Sequence, residues 1–171
     1  MLAPEMAAAL NAHMGREFSA HFQYLSVASY FDGEGLPELA AFFFAQANEE
    51  HMHAMKFLRY VLDAGAEVAI PAIDAPSAAC ADADDAVSRA VAWELAVTAQ
   101  INDLVHLAAE HRDIATQAFL QWFVTEQVEE VATMTELRQV VRRAGEPNLL
   151  LVEDYVVRKA ARAAANPGAA E

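Results

Sequence analysis

Long segments with apolar residues at helical spacing alternate with short polar breaks along this chain. The apolar residues recur three and four positions apart, a pattern that predicts amphipathic helices and not strands. The predicted helices span residues 4–31, 36–64, 84–110, 114–144 and 148–162. The pattern therefore predicts an all-α protein with four long helices and a short fifth helix.

Turn and capping residues mark the ends of the predicted helices. Pro4 suits a first helical turn, Asp113 is a plausible N-cap for the fourth helix, and Gly145 ends it. Residues 65–82 contain two prolines and few helix signals. About 18 extended residues reach roughly 60 Å, whereas a 28-residue helix is roughly 42 Å long. We therefore interpret this segment as a crossover that returns the chain to the starting end of a bundle.

A carboxylate interrupts the apolar stripe of each long helix near its middle. The interrupting residues are Glu17, Glu50, Glu94 and Glu130, and the fourth helix adds Gln127 at a neighbouring position of its stripe. Around the first turn, Glu17 lies 17 residues before Glu34 and Glu50 lies 16 residues after it. Antiparallel packing would therefore bring the interruptions to one level, within about 3 Å along the bundle axis.

His53 follows Glu50 by three residues and shares its helical face. Glu-x-x-His on an inward face is a recurring metal-binding arrangement of helical bundles. Four carboxylates in a dry core repel one another unless cations are present. Carboxylate oxygens with one imidazole suit iron or manganese better than zinc or copper. We interpret the other histidines as packing or surface residues: His13, His21, His106 and His111.

Composition and charge narrow the functional classes. The 171 residues suffice for one domain, predicted as residues 1–162, followed by a disordered tail, residues 163–171. The formal charge of −14 disfavours nucleic acids and anionic membranes as partners and suits cations. Because there is a single cysteine and no visible signal peptide or membrane span, we expect a cytoplasmic protein.

Residues 121–130, QWFVTEQVEE, strongly resemble the fourth helix of bacterial non-haem ferritins. The resemblance continues from Glu17 and Tyr24 through residues 49–53 and Glu94 to the fifth helix. It implies a ferritin-like four-helix bundle with a long crossover loop and a short C-terminal helix. It also implies a homo-oligomeric shell of about 24 subunits. The implied activity is oxidation of Fe(II) by dioxygen or peroxide, with ferric mineral stored inside the shell.

The same resemblance implies three iron sites. Site A would consist of Glu17, Glu50 and His53. Site B would consist of Glu94 and Glu130, with Glu50 bridging the two irons and Gln127 beside site B. A third iron site would consist of Glu49, Glu126 and Glu129, completed by Glu130. Tyr24 would stand close to these sites as a redox-active or hydrogen-bonding residue, although a core tyrosine with a satisfied hydroxyl is equally compatible with the sequence.

Two related classes remain as alternatives. A bacterioferritin would carry Glu-x-x-His in the fourth helix and a methionine directly after the bridging glutamate, where this chain has Glu130 and His51. We therefore expect no haem bound through a methionine pair. A di-iron carboxylate oxidase would need a pocket for an organic substrate. The apolar residues of the fifth helix have no evident place on the four-helix core, so we expect that helix to be buried between subunits.

Overall fold

The computed structural model describes residues 2–76 and 80–165, and this part of the chain is helical without strands. The helices are α1 (Pro4–Gly33), α2 (Pro37–Asp63), α3 (Ala83–Glu110), α4 (Ile114–Ala144) and α5 (Leu149–Ala165). A 3-10 turn, Glu146–Asn148, joins α4 to α5. The predicted all-α fold is confirmed. Helix α5 continues three residues beyond its predicted end, and the rest of the predicted tail, residues 166–171, lies outside the described residues.

The helix ends follow local capping chemistry. Pro4 occupies the first turn of α1, and the Asp113 side chain accepts a hydrogen bond from the Thr116 amide at the start of α4. Asp82 caps α3 in the same way, and α3 begins at Ala83, one residue earlier than predicted. Gly145 adopts a φ of 69° directly after α4, a left-handed conformation that suits glycine. None of the described helices is both long and apolar enough to cross a membrane.

The core consists of two apolar halves. The half near the α1–α2 turn contains Phe31 and Phe43, together with the start of α3 and the end of α4. The opposite half contains Met6 and Phe57, together with the end of α3 and the start of α4. The predicted polar interruptions lie between these two halves. Each apolar half thus excludes water from one side of the polar layer.

The connection between α2 and α3 lies against α1. The Asn11 amide donates to the Glu67 carbonyl over 2.9 Å and accepts from the Ala69 amide over 3.1 Å. A Cβ added at Gly15 would lie 2.2 Å from Cγ of Pro71, so only glycine permits this close approach. The start of α3 then packs in the same half of the core as the end of α1. The described part of the connection therefore agrees with the predicted crossover, which returns the chain along the bundle from the end of α2 to the start of α3.

The expectation that the apolar residues of α5 have no place on the four-helix core is wrong. Leu149 and Val152 are buried within the half of the core that contains Phe31. The carboxylate of Glu153 accepts hydrogen bonds from the amides of Glu38 (2.7 Å) and Leu39 at the start of α2. These amides have no partner within their own helix, so Glu153 caps α2 from a distant part of the chain. Three apolar residues of α5 stay exposed, namely Leu150, Leu151 and Val157.

Replacing Glu153 with alanine should lower the free energy of unfolding by about 1–2 kcal/mol, because two amides in the first turn of α2, one of them buried, lose their acceptor. Chemical denaturation monitored by circular dichroism measures this change. Asp154→Ala is the matched control, since Asp154 is the exposed neighbour on the same helix. Equal losses in the two variants would contradict the capping role.

Candidate metal centre

The four stripe carboxylates meet at one level between the two apolar halves. Glu17 comes from α1, Glu50 from α2, Glu94 from α3 and Glu130 from α4, and each is at most 5% exposed. Gln127 of α4 and Tyr24 of α1 are buried at the same level. The antiparallel helices thus bring together residues that are far apart in the sequence. The structure groups the predicted site A and site B residues in one dry layer.

Glu17, Glu50 and His53 form the tightest group of ligand atoms. One oxygen of each carboxylate and one imidazole nitrogen lie within 4.8 Å of one another. His53 Nδ1 lies 3.6 Å from Glu50 Oε2 and 3.9 Å from Glu17 Oε2. Glu17 Oε2 and His53 Nδ1 are buried without a hydrogen-bond partner. Unpartnered buried acceptors aimed at one point are the donor set that a cation requires.

Aromatic rings fix the orientation of the His53 imidazole. The edges and faces of Trp122 and Phe123 contact it, with ring centroids 5.5 Å and 5.9 Å away. The ammonium of Lys56 lies 2.8 Å from the centre of the Trp122 ring. This packing limits the imidazole to few rotamers and keeps Nδ1 directed at the carboxylates.

Glu94 lies in the layer with its own set of partners. The Tyr24 hydroxyl donates a hydrogen bond to Oε1 of Glu94, while Oε2 is buried without a partner. The Thr98 hydroxyl lies 2.8 Å from the backbone carbonyl oxygen of Glu94 and 2.8 Å from Oε1 of Gln127. Tyr24 therefore contacts a predicted iron ligand directly, and its hydroxyl is satisfied.

The predicted third site borders a cavity of about 340 Å³ between α2, α4 and α5. Its acidic lining residues are Glu49, Glu126, Glu129 and Glu130. Ligand atoms of Glu126, Glu130 and His53 lie within 4.8 Å of one another. Glu49 accepts a hydrogen bond from Gln46. Glu129 is exposed, and among the described residues it belongs neither to the group around Glu17 nor to the group around Glu126. His53 belongs to both groups of ligand atoms, so Glu126 lies next to the buried layer.

Burial raises the pKa of the clustered carboxyl groups. The pKa of Glu17 rises from 4.5 to about 7, that of Glu50 and of Glu94 to about 8, and that of Glu130 to about 9. In each case the loss of hydration is the largest cause, and neighbouring carboxylates add to it. The protein without bound cations therefore holds protons in this layer near neutral pH.

Tyr24 and His53 respond to the same surroundings. Burial and the Glu94 charge raise the pKa of the Tyr24 hydroxyl well above its ordinary value, so the hydroxyl stays protonated. For His53, burial lowers the pKa, but contact with Glu50 and Glu17 raises it by more. The net pKa of His53 therefore lies above its ordinary value.

His13 is a site residue that the sequence interpretation missed. Its Nε2 lies 2.8 Å from Oε1 of Glu17, one helical turn later, and both side chains are buried. Burial lowers the pKa of His13 from 6.5 to about 4, so the imidazole is neutral. An ionised carboxylate oxygen only accepts, so the tautomer that pairs with ionised Glu17 carries its proton on Nε2 and donates it to Oε1. The spacing of four residues from Glu17 was the signal available in the sequence.

Known proteins match this fold and layer over most of the chain. The family described as Ferritin-like domain matches residues 7–144. Ferritin BfrB of Mycolicibacterium smegmatis is 45% identical over 153 residues, covering 90% of this chain and 84% of the relative. A bacterial non-heme ferritin of Staphylococcus epidermidis is 35% identical over 146 residues, covering 85% and 88%.

Solved structures give the same result. An open pore ferritin from the archaeon Archaeoglobus fulgidus superimposes with a TM-score of 0.88 at 35% sequence identity. The match covers 91% of this chain and 98% of the archaeal chain. A four-helix bundle with inward carboxylates and a Glu-x-x-His pair is the arrangement of the ferritin-like class of proteins. The chain belongs to the ferritin family, as a bacterial member.

Proposed function

We propose that the buried layer is a ferroxidase centre, which oxidises Fe(II) with dioxygen or peroxide as a step in iron storage. Membership of the ferritin family supports iron storage within a cage-like homo-oligomer as the role of the chain. The proposed cage contains about 24 copies of the chain. Iron is here the substrate and the stored cargo.

One observation carries this proposal. Four buried carboxylates face one another without a compensating lysine or arginine, since in the described chain the ion pairs of Glu17 and Glu50 involve only histidines. Both Glu17 and Glu94 keep one oxygen buried and unpartnered. Such a layer is strongly unfavourable unless protons or cations occupy it. Hard oxygen donors with one imidazole favour iron among the common transition metals.

The layer offers two unequal positions for Fe(II). Site A consists of Glu17, Glu50 and His53, whose ligand atoms already lie close together. Site B consists of Glu94 and Glu130, with Glu50 shared between the sites. Gln127 contributes a neutral amide beside site B, and Thr98 holds that amide in place. Because site B has no imidazole, we expect its iron to be bound more weakly and to exchange more readily.

The chemistry follows from these donors. Each of two Fe(II) ions gives one electron to the oxidant, so dioxygen gains two electrons and, with two protons from water, becomes hydrogen peroxide. Carboxylates stabilise the Fe(III) product more than Fe(II), which favours oxidation. Tyr24 holds Glu94 through its hydroxyl, and we propose that it orients this ligand. The apolar halves on both sides exclude bulk water.

The acidic cavity supplies a path out of the layer. Glu126 lies within 4.8 Å of His53 and Glu130 at the ligand atoms, and Glu49 and Glu129 line the same cavity. These residues form the proposed third site, where Fe(III) leaving the centre meets further hard donors. Helix α5 forms one wall of the cavity through Tyr155 and Lys159.

The alternatives differ from this proposal at named residues. In α4, Glu130 stands where a bacterioferritin would have histidine, and His51 follows the bridging Glu50. The absence of haem bound through methionine pairs stays a prediction, as does a cytoplasmic location. A cofactor-type di-iron oxidase would retain its iron after a single turnover, and this difference makes the two classes separable by stoichiometry.

Fe(II) supplied in large excess with air should be oxidised completely and remain soluble within the particle, because iron passes through the centre. Absorbance of ferric products, followed by size-exclusion chromatography with iron analysis, measures both quantities. Anaerobic dialysis should remove most iron from site B. If oxidation stopped permanently at two irons per chain, the protein would be a cofactor-type enzyme and the storage proposal would fail.

Replacing His13 with leucine should weaken Fe(II) binding and oxidation by about tenfold or more, because Glu17 loses the donor that holds its Oε1. His13→Gln should stay near wild type, since the amide nitrogen of glutamine occupies nearly the position of imidazole Nε2. Anaerobic Fe(II) binding isotherms and initial oxidation rates measure the difference. Wild-type binding in His13→Leu would remove His13 from the site.

A further inference from the structure

A second cavity borders the buried layer on the face of the bundle opposite the acidic cavity. It measures about 280 Å³ and lies between α1 and α3, and the connection before α3 contributes Cys80 to its lining. The acidic cavity lies between α2, α4 and α5. Because α1 packs against α2 and α3 packs against α4, these two faces point in opposite directions. The second cavity, called the α1–α3 cavity, has no role in the iron chemistry proposed above.

The linings of the two cavities differ in charge. Glutamates line the acidic cavity. The described residues that line the α1–α3 cavity include no aspartate or glutamate, and their lining surface is mostly apolar. The charged residue among them is Arg89, whose guanidinium lies 2.7 Å from a carboxylate oxygen of Asp85. Such a lining is unfavourable for Fe(II), so the α1–α3 cavity suits an uncharged molecule.

Small side chains provide the space in the α1–α3 cavity. Ser26 comes from α1, and Ala90, Ala92 and Ala96 come from α3. Apolar cavities of proteins bind small uncharged molecules such as xenon. Dioxygen is likewise small and uncharged, and it dissolves better in apolar media than in water. It also crosses packed protein through side-chain fluctuations, so the cavity does not need an open mouth in the assembled protein.

Tyr24 connects the α1–α3 cavity to the carboxylate layer. Its side chain lines the cavity and is 1% exposed, and its hydroxyl donates a hydrogen bond to Oε1 of Glu94. The other oxygen of Glu94, Oε2, is buried without a hydrogen-bond partner. A molecule in contact with Tyr24 is therefore one side chain away from a proposed ligand of site B.

Trp93 adds a hydrogen-bond donor to the wall of the cavity. Its indole Nε1 is buried and has no hydrogen-bond partner among the described residues. An indole N–H only donates, and a buried donor without an acceptor is unfavourable. Dioxygen accepts a hydrogen bond weakly and hydrogen peroxide accepts one more strongly. An oxygen-containing molecule therefore complements this cavity better than a hydrocarbon does.

We propose that the α1–α3 cavity holds the oxidant of the ferroxidase reaction, a small uncharged molecule with an O–O bond, beside Tyr24. This inference rests on the proposed ferroxidase function and adds a separate place for the second substrate. Iron moves through the acidic cavity, and the oxidant arrives from the opposite face of the bundle. The oxidant therefore does not share a passage with cations. Dioxygen and hydrogen peroxide share the required chemistry, and oxidation kinetics distinguish between them.

Xenon is the probe for the cavity itself, used with crystals of the iron-free assembled protein under xenon pressure. We expect a xenon peak between Tyr24 and Trp93 in wild type. Ala90→Leu and Ala96→Leu should each lower its occupancy by at least about threefold, because leucine fills space that the alanine methyl leaves open. Ala90 is buried and Ala96 is exposed, so Ala96→Leu keeps the test available if leucine at position 90 prevents folding. Ala109→Leu, exposed on α3 and outside the cavity lining, is the matched control.

Initial rates of Fe(II) oxidation at several oxidant concentrations test the function of the cavity. The variants Ala90→Leu and Ala96→Leu should raise the dioxygen concentration that gives half the maximal rate by at least about threefold. Their anaerobic Fe(II) binding should match that of wild type, and Ala109→Leu should match wild type in both measurements. The same series with hydrogen peroxide under anaerobic conditions identifies which of the two oxidants uses the cavity.

Three results would overturn the proposal. The first is a wild-type cavity that binds no xenon. The second is a variant that has lost xenon but keeps the wild-type dependence on both dioxygen and hydrogen peroxide. The third is an equal loss of anaerobic Fe(II) binding in the cavity variants, which would assign the cavity to iron. If wild type oxidised no Fe(II) with either oxidant, the ferroxidase proposal itself would fail, and the xenon peak would still show whether the cavity binds uncharged molecules.

Discussion

Replacing Glu50 with alanine should slow rapid Fe(II) oxidation by at least about 100-fold, because both proposed iron positions lose a ligand at once. Glu50 Oε2 lies 3.6 Å from His53 Nδ1 and belongs to the tightest group of ligand atoms. Its charge also acts on Glu94 and Glu130 across the layer. Stopped-flow absorbance after Fe(II) addition measures the rate.

The Glu50→Ala variant should remain folded, because removing one of four facing carboxyl groups relieves repulsion in the iron-free protein. Its thermal unfolding without metal should therefore occur at the wild-type temperature or above it. Glu110→Ala, at an exposed position near the end of α3, is the control and should oxidise iron at the wild-type rate. A wild-type rate in Glu50→Ala would remove Glu50 from the centre.

The iron-free protein should lose stability as the pH rises from 7 to 9, by at least about 2 kcal/mol per chain. The folded pKa of Glu50 and of Glu94 is raised to about 8, and that of Glu130 to about 9, from 4.5. A carboxyl group with a raised folded pKa binds its proton more tightly when folded. Its stabilising contribution is therefore complete at low pH and is lost as the pH passes the folded pKa.

The titration of His13 decides the lowest pH at which this loss of stability can be measured without an opposing effect. Its folded pKa is lowered from 6.5 to about 4, so its contribution to stability increases with pH over that interval. Above about pH 7 this opposing effect is complete, and the slope is determined by the carboxyl groups together with His53, whose pKa is also raised. Chemical denaturation in the presence of a chelator, repeated at several pH values, measures the free energy of unfolding.

The double variant Glu94→Gln with Glu130→Gln should flatten this pH dependence, because neutral amides replace two of the titrating groups. Glu110→Gln should leave the slope unchanged, since Glu110 is exposed. Saturating Zn²⁺ should reverse the slope in wild type, because the ion displaces protons and binds more tightly as the pH rises. A stability that rises from pH 7 to 9 without metal would contradict the raised pKa values.

The sequence by itself determined the helices and the stripe residues of the layer. Helical periodicity is a local property, so an interruption such as Glu50 in an apolar stripe identifies a buried carboxylate before any packing is known. Capping is equally local, and Asp113 was predicted as the N-cap that the structure shows. Antiparallel packing of helices of known length then predicted that Glu17 and Glu94 lie at one level.

The tertiary structure alone decided the contacts between distant segments. Glu153 caps α2 across 115 residues, and Gly15 is needed because Pro71 of the crossover lies directly against it. The placement of α5 along the acidic cavity likewise depends on how Leu149 and Val152 pack in the core. Such contacts arise from shape and side-chain direction in three dimensions, and neither periodicity nor spacing along the chain contains them.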